Sequence, residues 1–353
     1  MANKFNYIIV GQGLAGTCLA FHLLQLGQKV LIIDENREDT SSKIAAGLYN
    51  PVTGKLMVLS WKANALFSYL SDFYRSIERK LSSQFLHETT IYRPFVSLEE
   101  QNEWMGKSTR ADHARFIKKL YSKSAFGDQV FDEFGGVEIV ESGYLDIPVF
   151  LASARTYFKA LGMIMNEKVD YDNLEIGKKV QYKSNEAERI IFCSGTEATL
   201  TSYFNWLPFG LVKGEIIEIL PESKFDIIYN RGVFIMPRKE GNYVVGATYE
   251  NRDLTLSITE KGKNTLNEKL RALLKIKYDI TGQKAGIRPA TRDRRPFVGI
   301  HPEFETMGIF NGLGAKGVTL APFFANQFAN FLVHGQDVDM EVNISRHYSL
   351  YYS

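Results

Sequence analysis

The stretch FNYIIVGQGLAGTCLAFHLLQLGQKVLIID, Phe5–Asp34, decides the fold. It opens on an apolar run that reads as a short buried strand, and a glycine-rich turn follows. Leu14, Cys18, Leu19, Leu23 and Leu26 then fall at helical spacing, and Gly27 supplies the stop. KVLIID reads as a second buried strand. Strand, turn, helix and strand within about thirty residues make one βαβ unit. Gly11, Gly13 and Gly16 stand in the spacing G-x-G-x-x-G. The first glycine permits a tight turn, the second lets a pyrophosphate approach the backbone, and the third lets helix pack on strand. The helix N-terminus then faces the phosphate charge. Asp34 closes the second strand, where a carboxylate accepts hydrogen bonds from a ribose 2′-OH. The unit predicts a dinucleotide site and does not separate NAD from FAD.

The rest of the chain sets the frame for this unit. Its 353 residues suit two packed lobes better than one core. A hydrophobic content of 45% and a charged content of 23% are ordinary for a globular protein. A formal net charge of +2 gives no field that argues for nucleic acid or an anionic membrane. Cys18 and Cys193 lie in apolar contexts and read as reduced core residues, and the six histidines show no metal-ligand spacing. The first strand starts almost at the initiator methionine, which leaves no room for a signal peptide, and no apolar run would span a bilayer. The expected address is the cytoplasm. A helix is predicted from about Lys62 to Leu81, with Leu66, Phe67, Leu70, Phe73, Tyr74 and Ile77 on one face. Asp146 is a good N-cap for another, with Pro148 in its first turn and Gly162 at its end. A charged helix is expected from Thr259 to Lys277. Between these, strands dominate. The fold class is therefore α/β: a Rossmann-type lobe built from 1–84, 141–205 and 281–353, with a strand-rich lobe of 85–140 and 206–280 inserted into it.

Near the far end, NGLGAKGVTLAP (Asn311–Pro322) follows the strand-like MGIF and opens an apolar helix. This second strand–glycine–helix unit favours a flavin. A reduced flavin carries negative charge around N1 and the C2 carbonyl, which helix N–H groups and a lysine ammonium would stabilise. Lys316 is the expected cation of that clamp, and Pro322 is expected in the helix's first turn, where N–H groups have no intrahelical partner.

Seven blocks in order now resemble the D-amino-acid-oxidase-like (DAO) family of FAD-dependent oxidoreductases, which includes glycine and sarcosine oxidases. They are VGQGLAG…IID, AAGLYNP, GYLDIPVFLASA, IIFCSG, FIMPRKEGNYVVGATYE, AGIRPATRDRRPFVG and NGLGAKGVTLAP. The resemblance covers most of the chain. It implies that Arg288 pairs with a substrate carboxylate, a task suited to a planar guanidinium, and that Lys316 lies over the flavin pyrimidine edge. The implied cofactor-binding set is Gly11, Gly13, Leu14, Ala15, Gly16, Asp34 and Glu35; Ser42, Ala46, Gly47 and Leu48; Val169, Gly195 and Arg288; and Gly312, Leu313, Gly314, Ala315, Lys316, Gly317, Val318 and Thr319. Neither cysteine stands where sarcosine oxidases attach FAD, so non-covalent FAD is expected. Their oxygen-activating lysine has no counterpart in YVVGATY, which leaves oxidase and dehydrogenase both open. Tyr49, Asn50 and Lys55 form a pattern without an assigned role.

The expected reaction is oxidation of a C–N bond in an amino acid or other carboxylated amine, by hydride transfer to flavin N5. Arg288 and Lys316 are the expected catalytic residues. The electron acceptor, oxygen or a quinone, is left open. Two other readings stand beside this one. The arginines of RPATRDRRP, Arg288, Arg292, Arg294 and Arg295, would suit phosphates, as in a DAO-like enzyme acting on an aminomethyl group of a tRNA wobble base. Pairing of Arg294 and Arg295 with acids such as Asp293 is the plainer account of the cluster. A non-catalytic flavin-binding protein is the third reading. Phe234 and Tyr249 are candidate pocket residues on the second lobe.

Overall fold

The computed structural model describes residues 3–53, 58–108, 110–238 and 241–353; Lys55 lies outside them. The quoted stretch forms β1 (Asn3–Val10), α1 (Leu14–Gln25) and β2 (Val30–Ile33), paired in parallel with Tyr7 opposite Val30 and Val10 opposite Ile33. Successive strand residues point to opposite faces. Tyr7, Ile9, Val30 and Ile32 join one buried cluster, while Ile8, Val10, Leu31 and Ile33 join another. Both faces are covered, which is why the strands read as unbroken apolar runs. The parallel sheet gathers distant pieces of chain. The strand Asn185–Phe192 lies beside β1 with Val10 opposite Phe192, and Met307–Asn311 lies beside that with Phe192 opposite Ile309.

One face of this sheet carries α1 and the helices Ala63–Leu81, Ile147–Ala160 and Gly317–His334, all with residues in the larger core cluster. Asp146 caps the third of the four, accepting from the Val149 N–H at 3.3 Å. Pro322 corrects an expectation. It lies inside the helix Gly317–His334, one turn beyond its start, where a proline deprives the carbonyl of the residue four positions earlier of its donor. That carbonyl, on Val318, instead accepts the Tyr74 hydroxyl at 3.0 Å. The Pro322 carbonyl in turn accepts the Nε2–H of buried His22 at 3.2 Å.

The second large sheet has eight strands and is mostly antiparallel. It draws Ile91–Pro94, Ile117–Tyr121 and Gly136–Ile139 together with strands between Val212 and Arg288. The strand Tyr278–Arg288 pairs with Val212–Pro221 from end to end except at Thr281, where the register shifts between Glu218 opposite Gly282 and Ile219 opposite Ile280. Arg288 is thereby carried to the inner end of this sheet, opposite Val212. A small sheet links the layers, with Leu48–Tyr49 and Leu86–Glu88 on either side of Gly143–Leu145. The charged helix spans Glu260–Arg271, and Thr259 caps it by accepting from the Gly262 N–H at 2.9 Å. No helix among the described residues is long and apolar enough to cross a membrane.

Candidate active site

The first glycine turn is shaped by close approaches. Gly11 has φ +99°, and a Cβ there would meet the Cys193 carbonyl oxygen at 2.7 Å. A Cβ on Gly16 would lie 1.9 Å from the Gly11 oxygen, so Gly16 serves packing and does not line the cleft. Gly13 faces Ser42, whose Oγ accepts the Leu14 N–H at 3.2 Å. Asp34 is more engaged than expected. Its carboxylate accepts the Gln12 and Asn36 N–H groups, each at 2.8 Å, and Nη1 of Arg155 at 2.9 Å. Arg155, on the helix Ile147–Ala160, is buried and also donates to Gln12 Oε1 at 2.6 Å, to Asn166 Oδ1 at 2.5 Å and to the Asp34 carbonyl at 3.0 Å. A carboxylate offers about four acceptor sites, so Asp34 keeps about one for a ribose hydroxyl and uses the others to fix the turn. Arg155 gave no signal in the sequence.

Two adjoining cavities follow. The smaller, about 150 Å³, is bordered by Gly11, Asp34, Glu35, Val169 and Gly195. The larger, about 320 Å³, is bordered by Leu14, Ala15, Ala46, Gly47, Leu48, Leu313, Gly314, Ala315, Gly317, Val318 and Arg288. Gly13, Ser42 and Gly195 border both. The two glycine turns, expected to meet at one ligand, do share one cleft. Gly47 is required twice: it has φ +79°, and a Cβ would stand 2.0 Å from the Leu145 oxygen. Gly312 and Thr319 do not border either cavity. Gly312 has φ +75° and packs on Thr291, while Thr319 Oγ1 donates to the Lys316 carbonyl at 3.0 Å. The expectations omitted Ile44, Ile216, Ala247 and Asn311 from the larger cavity; Phe234 borders it, and Tyr249 is exposed. Asn311 Nδ2 donates to the Gly195 carbonyl at 2.9 Å and ties the second turn to the segment that follows Asn185–Phe192.

Arg288 supplies the charge in this cavity. Gly214 makes the space for it, since a Cβ there would overlap the guanidinium at 2.0 Å from Nη2. Its Nη1 donates to the Thr248 carbonyl at 3.3 Å, and no carboxylate among the described residues forms an ion pair with it. Burial pulls the guanidinium below the usual arginine range. A cation so placed, beside an apolar wall and without a counter-ion, is set up for an anionic ligand.

The family of FAD dependent oxidoreductases, DAO, matches residues 6–330. The chain belongs to this family. It is 24% identical to the uncharacterized oxidoreductase YurR of Bacillus subtilis, over 96% of this chain and 97% of that one. It is 23% identical to the tRNA 5-methylaminomethyl-2-thiouridine biosynthesis bifunctional protein MnmC of Leptospira interrogans, over 96% of this chain but 59% of that protein. The fold is similar to that of iminodiacetate oxidase from Chelativorans sp. BNC1, with a TM-score of 0.76, 21% identity and coverage of 97% of this chain and 98% of that one.

In this DAO-family oxidoreductase the cleft fits FAD. Glycines leave the backbone bare where a Cβ would intrude, and Arg288 is the one charged side chain among the described residues on a largely apolar chamber. Lys316 departs from the expectation. Its backbone begins the helix Gly317–His334, but it does not border the cavity, and Nζ reaches Ser60 Oγ at 3.3 Å. The residue is exposed overall, yet desolvation around Nζ, then the charges of Arg295 and Arg294, hold its ammonium below the usual lysine range. What this turn turns toward the cavity is therefore backbone and small side chains. The arginine cluster also differs from its plainer reading. The Asp293 carboxylate pairs with Arg346 at 2.9 Å, Arg295 lies 4.0 Å over the Trp61 ring and 3.6 Å from Glu341, and Arg292 and Arg294 have no acidic partner among the described residues. Cys193 borders both cavities, and burial pushes its thiol up, which makes it a poor nucleophile. No cluster of His, Cys, Asp or Glu among the described residues is arranged to hold a metal.

Proposed function

We propose that this oxidoreductase oxidises a C–N bond of an amino acid or another amine that carries a carboxylate. The observation that carries the reading is Arg288: a half-buried guanidinium that borders the larger cavity and has no acidic partner among the described residues. When bound, FAD supplies the electron sink, accepting a hydride at N5. Arg288 grips the substrate carboxylate and so sets which carbon faces the ring. Ile44, Ile216, Phe234 and Ala247 exclude water and accommodate a small or apolar substituent. No aspartate, glutamate or histidine among the described residues borders the larger cavity, so no side-chain base is at hand and the amine must enter unprotonated. The first N–H groups of the helix Gly317–His334 point their dipole at the chamber and favour negative charge there.

The test is anaerobic mixing of the FAD-loaded protein with a panel of amino acids, N-alkyl amino acids and amines lacking a carboxylate. Bleaching of the yellow colour by carboxylated amines, with an apparent second-order rate that rises with pH as the amine deprotonates, is the expected result. No bleaching by any carboxylated amine would remove the reading. A second reading, action on an aminomethylated RNA base, is favoured by Arg292 and Arg294, which are exposed and lack acidic partners among the described residues. Salt-sensitive retention on tRNA that is lost in an R292Q/R294Q variant is its expected signature; no retention at low salt would exclude it.

A further inference from the structure

The family-like block FIMPRKEG contributes Arg238, which neither the fingerprint nor the substrate site uses. Arg238 directly follows the strand Val233–Pro237, the same strand that brings Phe234 to the cavity. Its backbone N–H is held by the Asn242 carbonyl at 2.7 Å. Its side chain crosses to the Ala46 carbonyl, which accepts Nη2 at 2.5 Å. The guanidinium also lies 4.9 Å over the Tyr144 ring. Tyr144 is opposite Leu48 in the small sheet, and the Leu145 N–H donates to the Gly47 carbonyl at 3.0 Å. Three contacts thus converge on the segment Ala46–Leu48, which borders the larger cavity.

Among the described residues no acid forms an ion pair with Arg238, and its buried Nη1 has no hydrogen-bond partner. Burial pulls the guanidinium below its usual range, and the acids that act against this are Asp146 and Glu218. Both are committed elsewhere: Asp146 caps a helix through Val149, and Glu218 pairs with Lys284 at 2.6 Å.

We infer that Arg238 is a positioning residue for the flavin ring, pinning the Ala46–Leu48 wall through the Ala46 carbonyl, and that its charge behind that wall favours the negative charge the ring gains on reduction. This rests on placing the ring in the larger cavity. A cation held in a low-dielectric interior acts over several ångströms. Arginine makes the contact a directed one, whereas lysine would preserve the charge without the fork.

The experiment compares native protein with R238M, R238K and A46F, measuring FAD dissociation by fluorescence titration and midpoint potential by dye-coupled reduction. Melting of each apoprotein reports whether it has folded. R238M should bind FAD roughly tenfold more weakly and shift the reduction equilibrium about tenfold against the reduced form, about 30 mV for a two-electron couple. R238K should keep most of the potential while still losing FAD affinity. Native affinity and potential in R238M would overturn the inference, and so would a potential drop in R238K equal to that in R238M, because charge would then be irrelevant. If R238M does not fold, R238K decides alone: weaker FAD at native potential supports the inference, and native values of both overturn it. A46F fills the cavity, so FAD uptake by A46F would remove the placement of the ring itself, whereas loss of FAD from A46F with an unaltered R238M would remove the role of Arg238 alone.

Discussion

Two arginines, buried Arg155 behind the fingerprint turn and half-buried Arg288 on the larger cavity, are treated in opposite ways. Arg155 is paired through both terminal nitrogens: Asp34, Gln12 and Asn166 all accept from Nη1 or Nη2, and the fingerprint turn is tied into the same network, although the buried Nε finds no acceptor among the described residues. Arg288 has a single long bond to a carbonyl and no acid among the described residues. The fingerprint end therefore carries its own counter-charge, while at the proposed substrate end no described acid balances the arginine. Stability is invested at one end and binding capacity is reserved at the other. Buried cations cost free energy unless paired, so the contrast gives each arginine a different mutational signature.

The largest expected effect tests the paired end. Arg155→Met strands the Asp34 carboxylate, and loss of one partner of a buried pair costs about 3–5 kcal/mol. Urea unfolding should show that loss, together with weaker FAD retention; a native midpoint would mean that Asp34 does not depend on Arg155. His22, buried against Pro322 and Phe73, should impose a pH dependence. Burial lowers its pKa to about 4, so the unfolded chain takes up the proton first. The stability this contributes is complete above the ordinary histidine value of about 6.5 and is lost as pH falls toward the folded value, by up to about 3 kcal/mol. His22→Gln should flatten that slope, and an unchanged slope would place the acid sensitivity elsewhere. At the open end the sign differs. Arg288→Met should slow anaerobic bleaching by carboxylated amines about a hundredfold, equivalent to about 2.7 kcal/mol, with melting of the apoprotein unchanged or improved. A drop in stability like that of Arg155→Met would break the comparison. The smallest effect belongs to Tyr74→Phe, which leaves the Val318 carbonyl without its donor and should cost about 1–2 kcal/mol in unfolding, with little change in FAD affinity.

Local pattern made much of this legible. The fingerprint, its strands and α1 were readable because three glycines and two apolar runs each have one steric reason to stand where they do. The helix caps at Asp146 and Thr259 followed from the same kind of local rule, although Thr259 was read only as the start of a charged segment. Arg288 was legible through resemblance, yet its lack of a partner was not, because counter-ions come from strands far away in sequence. Lys316 shows the limit most clearly. Its backbone is at the expected turn, but the direction of a side chain at a helix start depends on a torsion and on Ser60, some 250 residues away. Pro322 was placed one turn too early for the same reason, since only the structure shows Tyr74 waiting at Val318. Arg155 and Arg238 escaped because an arginine within a helix or after a strand has many bland uses.

The order in which the parallel sheet is assembled has a consequence for the life of the chain. Asn3–Val10 and Met307–Asn311 both flank Asn185–Phe192, so one strand is made long before the other. Contacts of such long sequence separation form slowly and late. Until residue 311 has been made, the first glycine turn lacks the residues that border the larger cavity with it. A nascent chain stalled before Met307 should capture no FAD, and capture by that chain would show that half a cleft is enough.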